Sequence, residues 1–117
     1  ERPGLLVNVT NDGWFGNTTG PHQHLHQARV RAVEEGIPVV RAANNGISAL
    51  IDAHGRIRAS LALDTTGTID STIPPSTNAP PYARWRDATF LLNGFLFLGL
   101  ALVWRMRSRS QTEHLSQ

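Results

Sequence analysis

The sequence predicts a mixed α/β domain followed by one helix long and apolar enough to cross a membrane. Three observations carry this. Short apolar runs bounded by Gly, Asn and Pro read as buried strands. The segment between the first two runs places its apolar residues at helical spacing. Finally, residues 88–104 run for seventeen positions without a formal charge. A strand, then a helix, then further strands is the order of a layered α/β class.

Leu5-Leu6-Val7-Asn8-Val9 is the first strand. Residues 10–20 are rich in Asn, Gly and Thr and form a loop, although the loop holds Trp14 and Phe15 side by side. Pro21 suits the first turn of a helix, where its missing N–H is not needed. The helix is expected over 21–35, with Leu25, Ala28 and Ala32 on one face and Val33 beside them. These are mostly small residues, which suits close packing on a sheet. Gly36 is placed to end the helix, and Pro38 prevents its continuation.

Val39 to Ala43 reads as the next strand, Asn44-Asn45-Gly46 as a tight turn needing a positive φ, and Ile47 to Ile51 as a third strand. Asp52-Ala53-His54-Gly55 is a second turn, and strands are expected over 56–63 and 68–73. Residues 74–81 contain four of the seven prolines and form an extended linker. The resulting division is a domain over 1–73, a Pro-rich linker over 74–87, an apolar helix over 88–104 and a basic tail over 105–117. At ~1.5 Å per residue the apolar helix is about 25 Å long, slightly short of a ~30 Å hydrocarbon core. Trp85 and Trp104 flank it, as interfacial aromatics do, and Arg105, Arg107 and Arg109 follow at once. The competing reading is a buried core helix. Against it, apolar residues run all round the helix, and the rest of the chain is too small to cover them.

The chain of 117 residues has no cysteine, so it can form no disulfide, thiolate metal site or Cys nucleophile. All eleven basic residues are Arg. The formal charge of +2 divides unevenly: residues 1–80 carry six Arg against seven acids, and residues 81–117 five Arg against two. Positive charge thus brackets the apolar stretch rather than covering a folded face, which points to a membrane and away from nucleic acid. The chain starts at Glu1, and its single Met is Met106, so it is expected to be a piece of a longer protein. No motif for a cofactor is present.

The run Asn8-Val9-Thr10-Asn11-Asp12-Gly13-Trp14-Phe15-Gly16, followed by Gly20-Pro21-His22-Gln23-His24, resembles the apolipoprotein N-acyltransferase family. So do Arg31 to Pro38 and Arg41-Ala42-Ala43-Asn44-Asn45-Gly46-Ile47-Ser48, and so does Pro81-Tyr82-Ala83-Arg84-Trp85 ahead of the apolar helix. Arg86 stands where that family would have Gly, a local departure in the linker. The resemblance implies the C-terminal part of a nitrilase-like (carbon–nitrogen hydrolase) αββα sandwich followed by one transmembrane helix. It implies a bacterial inner membrane, with the nitrilase-like domain in the periplasm and the C-terminus in the cytoplasm. It also implies transfer of an acyl chain from a phospholipid donor to the N-terminal cysteine of a diacylated apolipoprotein, through a thioester on a Glu–Lys–Cys triad. This chain has neither Cys nor Lys, so no catalytic residue is assigned in it. The triad is expected in the missing N-terminal part, and the fragment alone is expected to be inactive. Other readings are a soluble-type amidase or nitrilase fragment, a degenerate homologue, and a non-catalytic membrane-tethered module. The apolar helix argues against the first of these.

Trp14 and Phe15 are the candidate substrate-binding residues. The family resemblance places the matching Trp on a loop beside the catalytic pocket. A Trp–Phe pair flanked by Gly is costly to expose unless it covers something apolar, such as an acyl chain. The alternative is a plug for the domain's own core. Asn11 and Asp12 are expected to support the loop through side-chain-to-backbone hydrogen bonds. His22, His24 and His26 invite a zinc reading, but on a helix only His22 and His26 align, and no third ligand is evident. They are read as part of the helix start, with no metal. Asn8-Val9-Thr10 and Asn17-Thr18-Thr19 match the short glycosylation pattern and are read as chance.

Overall fold

The computed structural model describes residues 1–114; residues 115–117 of the expected tail lie outside the described residues. The chain forms two units, one over Glu1–Arg84 and one from Trp85 onward. In the first, a four-stranded sheet has the order β1-β2-β3-β4. Its strands are β1 (Leu6–Asn11), β2 (Val39–Asn44), β3 (Ser48–Ile51) and β4 (Ile57–Leu61). β1 and β2 are parallel, joined by the crossover helix α1 (Gly20–Glu35). The later strands pair antiparallel through short turns.

Alternation along the strands divides the sheet into two faces. Val39, Ala49 and Ile51 point toward α1 and pack with Leu25, Ala28 and Ala32, with Leu6 and Leu63 at the margin. Ala at two of the three helix positions lets the backbone approach the sheet closely. Helix α1 ends as its sequence predicts. Gly36 takes φ 62°, and its N–H reaches the carbonyls of Ala32 and Val33. Arg2 donates to the carbonyls of Glu35 and Thr77, and Thr77 in turn donates to the carbonyl of Gly36. The start of the Pro-rich segment is therefore tied over the C-terminus of α1.

The opposite face is different. Val7 and Val9 on β1 are 68% and 79% exposed. β1 is also an edge strand. The strand expected over 68–73 does not form. Ile69, Ser71 and Ile73 instead line a groove with Val40, Leu50 and Leu61. The segment thus crosses the face of the sheet, where its backbone meets no strand edge to pair with. β1 runs two residues further than expected, taking Thr10 and Asn11 from the loop, because they pair with Ala43 and Asn44.

Past the short helix α2 (Pro81–Trp85), the second unit is one helix, α3 (Ala88–His114). Over Ala88–Arg105 its mean hydropathy is 1.6 and none of that window is buried. It is long and apolar enough to cross a membrane. It continues well past Trp104, where the apolar stretch stops.

A polar node and an aromatic loop at the ends of the parallel strands

Ligand sites in parallel sheets lie beyond the carboxyl ends of the strands, where successive loops diverge. Here those ends are Asn11 on β1 and Asn44 on β2. Asp12 follows β1 and turns inward. It is only 1% exposed, and its N–H bonds the carbonyl of Asn44 at 3.0 Å. Arg41, on β2, is 2% exposed and points to the same place. Every face of its guanidinium is engaged. Nη2 donates to Asp12 Oδ2 at 2.6 Å, Nη1 to Asn8 Oδ1 at 2.7 Å, and Nε to the carbonyl of Ile47 at 3.2 Å. Asn8 is the register partner of Arg41 across the parallel ladder, so it is placed beside the guanidinium by the pairing itself.

Such a pair survives burial only because its hydrogen bonds are complete. The second carboxylate oxygen completes it. Asp12 Oδ1 accepts from His24 Nδ1 at 2.8 Å. His24 is on the first turns of α1, so this bond joins the two ends of the loop between β1 and α1. Gly46 closes the other side. A Cβ there would lie 2.2 Å from Asp12 Oδ2, so only a glycine leaves room for the carboxylate.

The loop itself is a single 3₁₀ turn, Gly13–Phe15, closed by a bond from the Phe15 N–H to the Asp12 carbonyl at 3.0 Å. The Gly13 N–H reaches Asn11 Oδ1 at 3.0 Å, and Thr18 Oγ1 donates to the Phe15 carbonyl at 2.8 Å. The Phe15 ring meets the His24 imidazole edge to face, with centroids 6.0 Å apart, and packs over Gly20. Trp14 at the crest is 87% exposed. It does not plug the core of this unit. Beside the loop, Asp12, Gly13, Gly16, Asn17, Asn45 and Asp64 line a depression of about 180 Å³.

The histidines diverge. His24 is committed to Asp12, while His22 and His26 face solvent. Among the described residues no group of three or more His, Asp or Glu is arranged to hold a metal. Asp12 departs from the side-chain-to-backbone role expected for it: at the centre of the node, its carboxylate bonds the side chains of Arg41 and His24, while Asn11 makes the bond to the loop backbone. Arg41 and His24 were not foreseen as members. A signal existed for Arg41, since a lone charge within Val39-Val40-Arg41-Ala42-Ala43 requires a buried partner.

A parallel βαβ unit extended by antiparallel strands, with its polar node at the strand ends, is a mixed α/β layer. The chain belongs to the carbon–nitrogen hydrolase family, whose model matches residues 4–80. It is also similar to proteins named apolipoprotein N-acyltransferase. The one from Bradyrhizobium diazoefficiens is 48% identical over 97% of this chain and 20% of that protein. The one from Rhodopseudomonas palustris is 57% identical over 72% of this chain and 16% of that protein. The one from Agrobacterium fabrum is 57% identical over 82% of this chain and 19% of that protein. The chain spans about a fifth of the length of the curated relatives it matches.

Proposed function

We propose that this chain is the C-terminal part of an apolipoprotein N-acyltransferase. The observation that carries the reading is the extent of the match. The carbon–nitrogen hydrolase model stops at residue 80, whereas the Bradyrhizobium relative aligns over 97% of the chain and so continues through the apolar helix α3. An amidase or nitrilase acting in solution has no use for that helix. In this reading residues 1–73 are one part of an αββα sandwich, 74–87 a linker, 88–104 a transmembrane helix and 105–117 a cytoplasmic tail. The bare Val7–Val9 face and the unpaired edge of β1 are where the rest of the sandwich packs.

The reaction moves an acyl group from a phospholipid ester to the α-amino group of a diacylated lipoprotein's N-terminal cysteine. The ester bond breaks, an amide forms, and a lysophospholipid leaves. No residue of this chain supplies the nucleophile, since it has no cysteine; catalysis belongs to the part of the protein outside these residues. Trp14 and Phe15 line the acyl-chain side of the pocket. Exposed aromatics on a braced loop offer apolar area to a lipid at small cost in conformational entropy. The enzyme sits in the bacterial inner membrane with this domain in the periplasm.

The full-length protein, purified in detergent with phospholipid and a diacylated lipopeptide, is expected to add one acyl chain to the peptide amine, read by mass spectrometry. Residues 1–117 alone are expected to add none. Turnover by the fragment above a no-protein control, or release of ammonia from simple amides in place of acyl transfer by the whole protein, contradicts the proposal.

A further inference from the structure

The buried pair Asp12–Arg41 lies beneath the aromatic loop, and one side chain links the two. His24 bonds Asp12 through Nδ1 at 2.8 Å and stands edge to face with the Phe15 ring, centroids 6.0 Å apart. Its side chain is 32% exposed, whereas those of Asp12 and Arg41 are fully buried. We propose that His24 is a positioning residue: braced by Asp12 and Arg41, it holds the Trp14–Phe15 loop in the pose that receives the acyl chain. The proposal rests on the acyltransferase reading for its substrate, and on the geometry alone for its mechanics.

The chain of constraint runs in one direction. Arg41 is held by Asn8 and the Ile47 carbonyl, both fixed by the sheet and its turn. It fixes Oδ2 of Asp12, and this leaves Oδ1 aimed at His24. Because a carboxylate only accepts, the imidazole carries its proton on Nδ1, and its ring plane is set by that bond. The ring then pairs edge to face with Phe15 at an interplanar angle of 66°. The Asp12–His24 bond also closes the loop at its base, joining residues twelve apart in sequence. Without it, the segment 13–19 keeps only its own short-range bonds and gains the freedom of an open loop. A purely structural histidine would instead stabilise α1 or the sheet, but the α1-facing core contains no atom of His24.

Hydrogen exchange on the full-length protein in detergent separates the two roles. In His24→Ala, the Phe15 and Thr18 amides are expected to exchange about tenfold faster, the scale set by losing a hydrogen bond to a charged group. The amides of β2 and β3 stay protected. His24→Asn puts an amide N–H near the position of Nδ1 and is expected to recover much of the protection. It also serves if the alanine variant fails to fold. Unchanged loop exchange, or exchange raised equally in β2 and β3, overturns the proposal. In acyl transfer, His24→Ala lowers kcat/KM, and its loss is largely absorbed into that of Trp14→Ala when the two are combined. Fully additive losses place His24 outside the loop's action and also overturn it. Should the unsubstituted protein transfer no acyl chain, the acyltransferase reading falls, and the exchange measurements still decide whether His24 sets the loop.

Discussion

At the scale of residues, two kinds of side chain share the loop after β1, and substitution separates them. Trp14 has most of its surface in solvent, so its removal takes little packing with it. A core Trp truncated to Ala typically costs ~3–5 kcal/mol; here the stability loss should fall well below that range. Trp14→Ala in the full-length protein is therefore expected to leave abundance near normal and to lower acyl transfer per molecule at least tenfold, the scale of ~1.4 kcal/mol of lost contact with the acyl chain. Abundance measured by immunoblot beside turnover checks this. Equal falls in both, or unchanged turnover, removes Trp14 from the pocket. Trp14 stood out in the sequence because a Trp–Phe pair among glycines in a polar loop is costly to expose unless it covers something apolar. That it lies exposed on the loop, and does not plug the core of this unit, is a finding of the structure. The node beneath it was less legible. Arg41 meets Asp12 through the parallel register, with Asn8 opposite Arg41, and His24 is brought back to it by the loop and the first turns of α1.

At the scale of elements, the β3–β4 turn gives a titration to follow. Asp52 Oδ1 accepts the N–H groups of His54 and Arg56, both at 2.9 Å, and Arg58 lies 3.9 Å from its other oxygen. Burial raises the carboxyl pKa and is the largest single influence. The two backbone bonds, then Arg58 and His54, together outweigh it and hold the pKa below its ordinary value. A carboxyl depressed in the folded state stabilises above its unfolded pKa, about 3.9, and that contribution is lost as pH falls through the folded value. Asp52→Asn is thus expected to lower the unfolding midpoint of the full-length protein by a few degrees at pH 7, with the difference shrinking below about pH 4. Thermal melts across that window check it; a difference that grows on acidification contradicts the assignment. This turn, the Gly36 cap and the α1 stripe were all readable locally, since each depends on neighbours within a few residues. The strand expected over 68–73 failed for the converse reason. Its alternating Ile69, Ser71 and Ile73 fit a β pattern, but pairing needs a free edge in reach, and the segment passes across the sheet face instead.

At the scale of the whole molecule, the acyltransferase reading predicts a topology. α3 supplies an eighteen-residue window, Ala88–Arg105, of mean hydropathy 1.6. Its ends differ in charge only slightly: Arg84 and Arg86 precede it, and Arg105, Arg107 and Arg109 follow it. Positive charge is retained on the cytoplasmic side, so the bias of three against two favours a cytoplasmic C-terminus but is weak alone. The acyltransferase reading adds the stronger constraint, because lipoprotein substrates are met on the periplasmic side, and the domain carrying Trp14 must face them. In that reading the seventeen-residue apolar stretch would insert with slight local thinning of the bilayer or snorkelling of the flanking Arg side chains. We therefore expect residues 1–80 outside the cytoplasm and Gln117 inside it. A fluorescent protein that matures only in the cytoplasm, fused after Gln117 of the full-length protein, should be bright. A phosphatase active only in the periplasm, fused at the same point, should be silent. The reverse pattern inverts the topology and takes the domain away from its substrates. Release of residues 1–117 from membranes by alkaline carbonate contradicts the span itself.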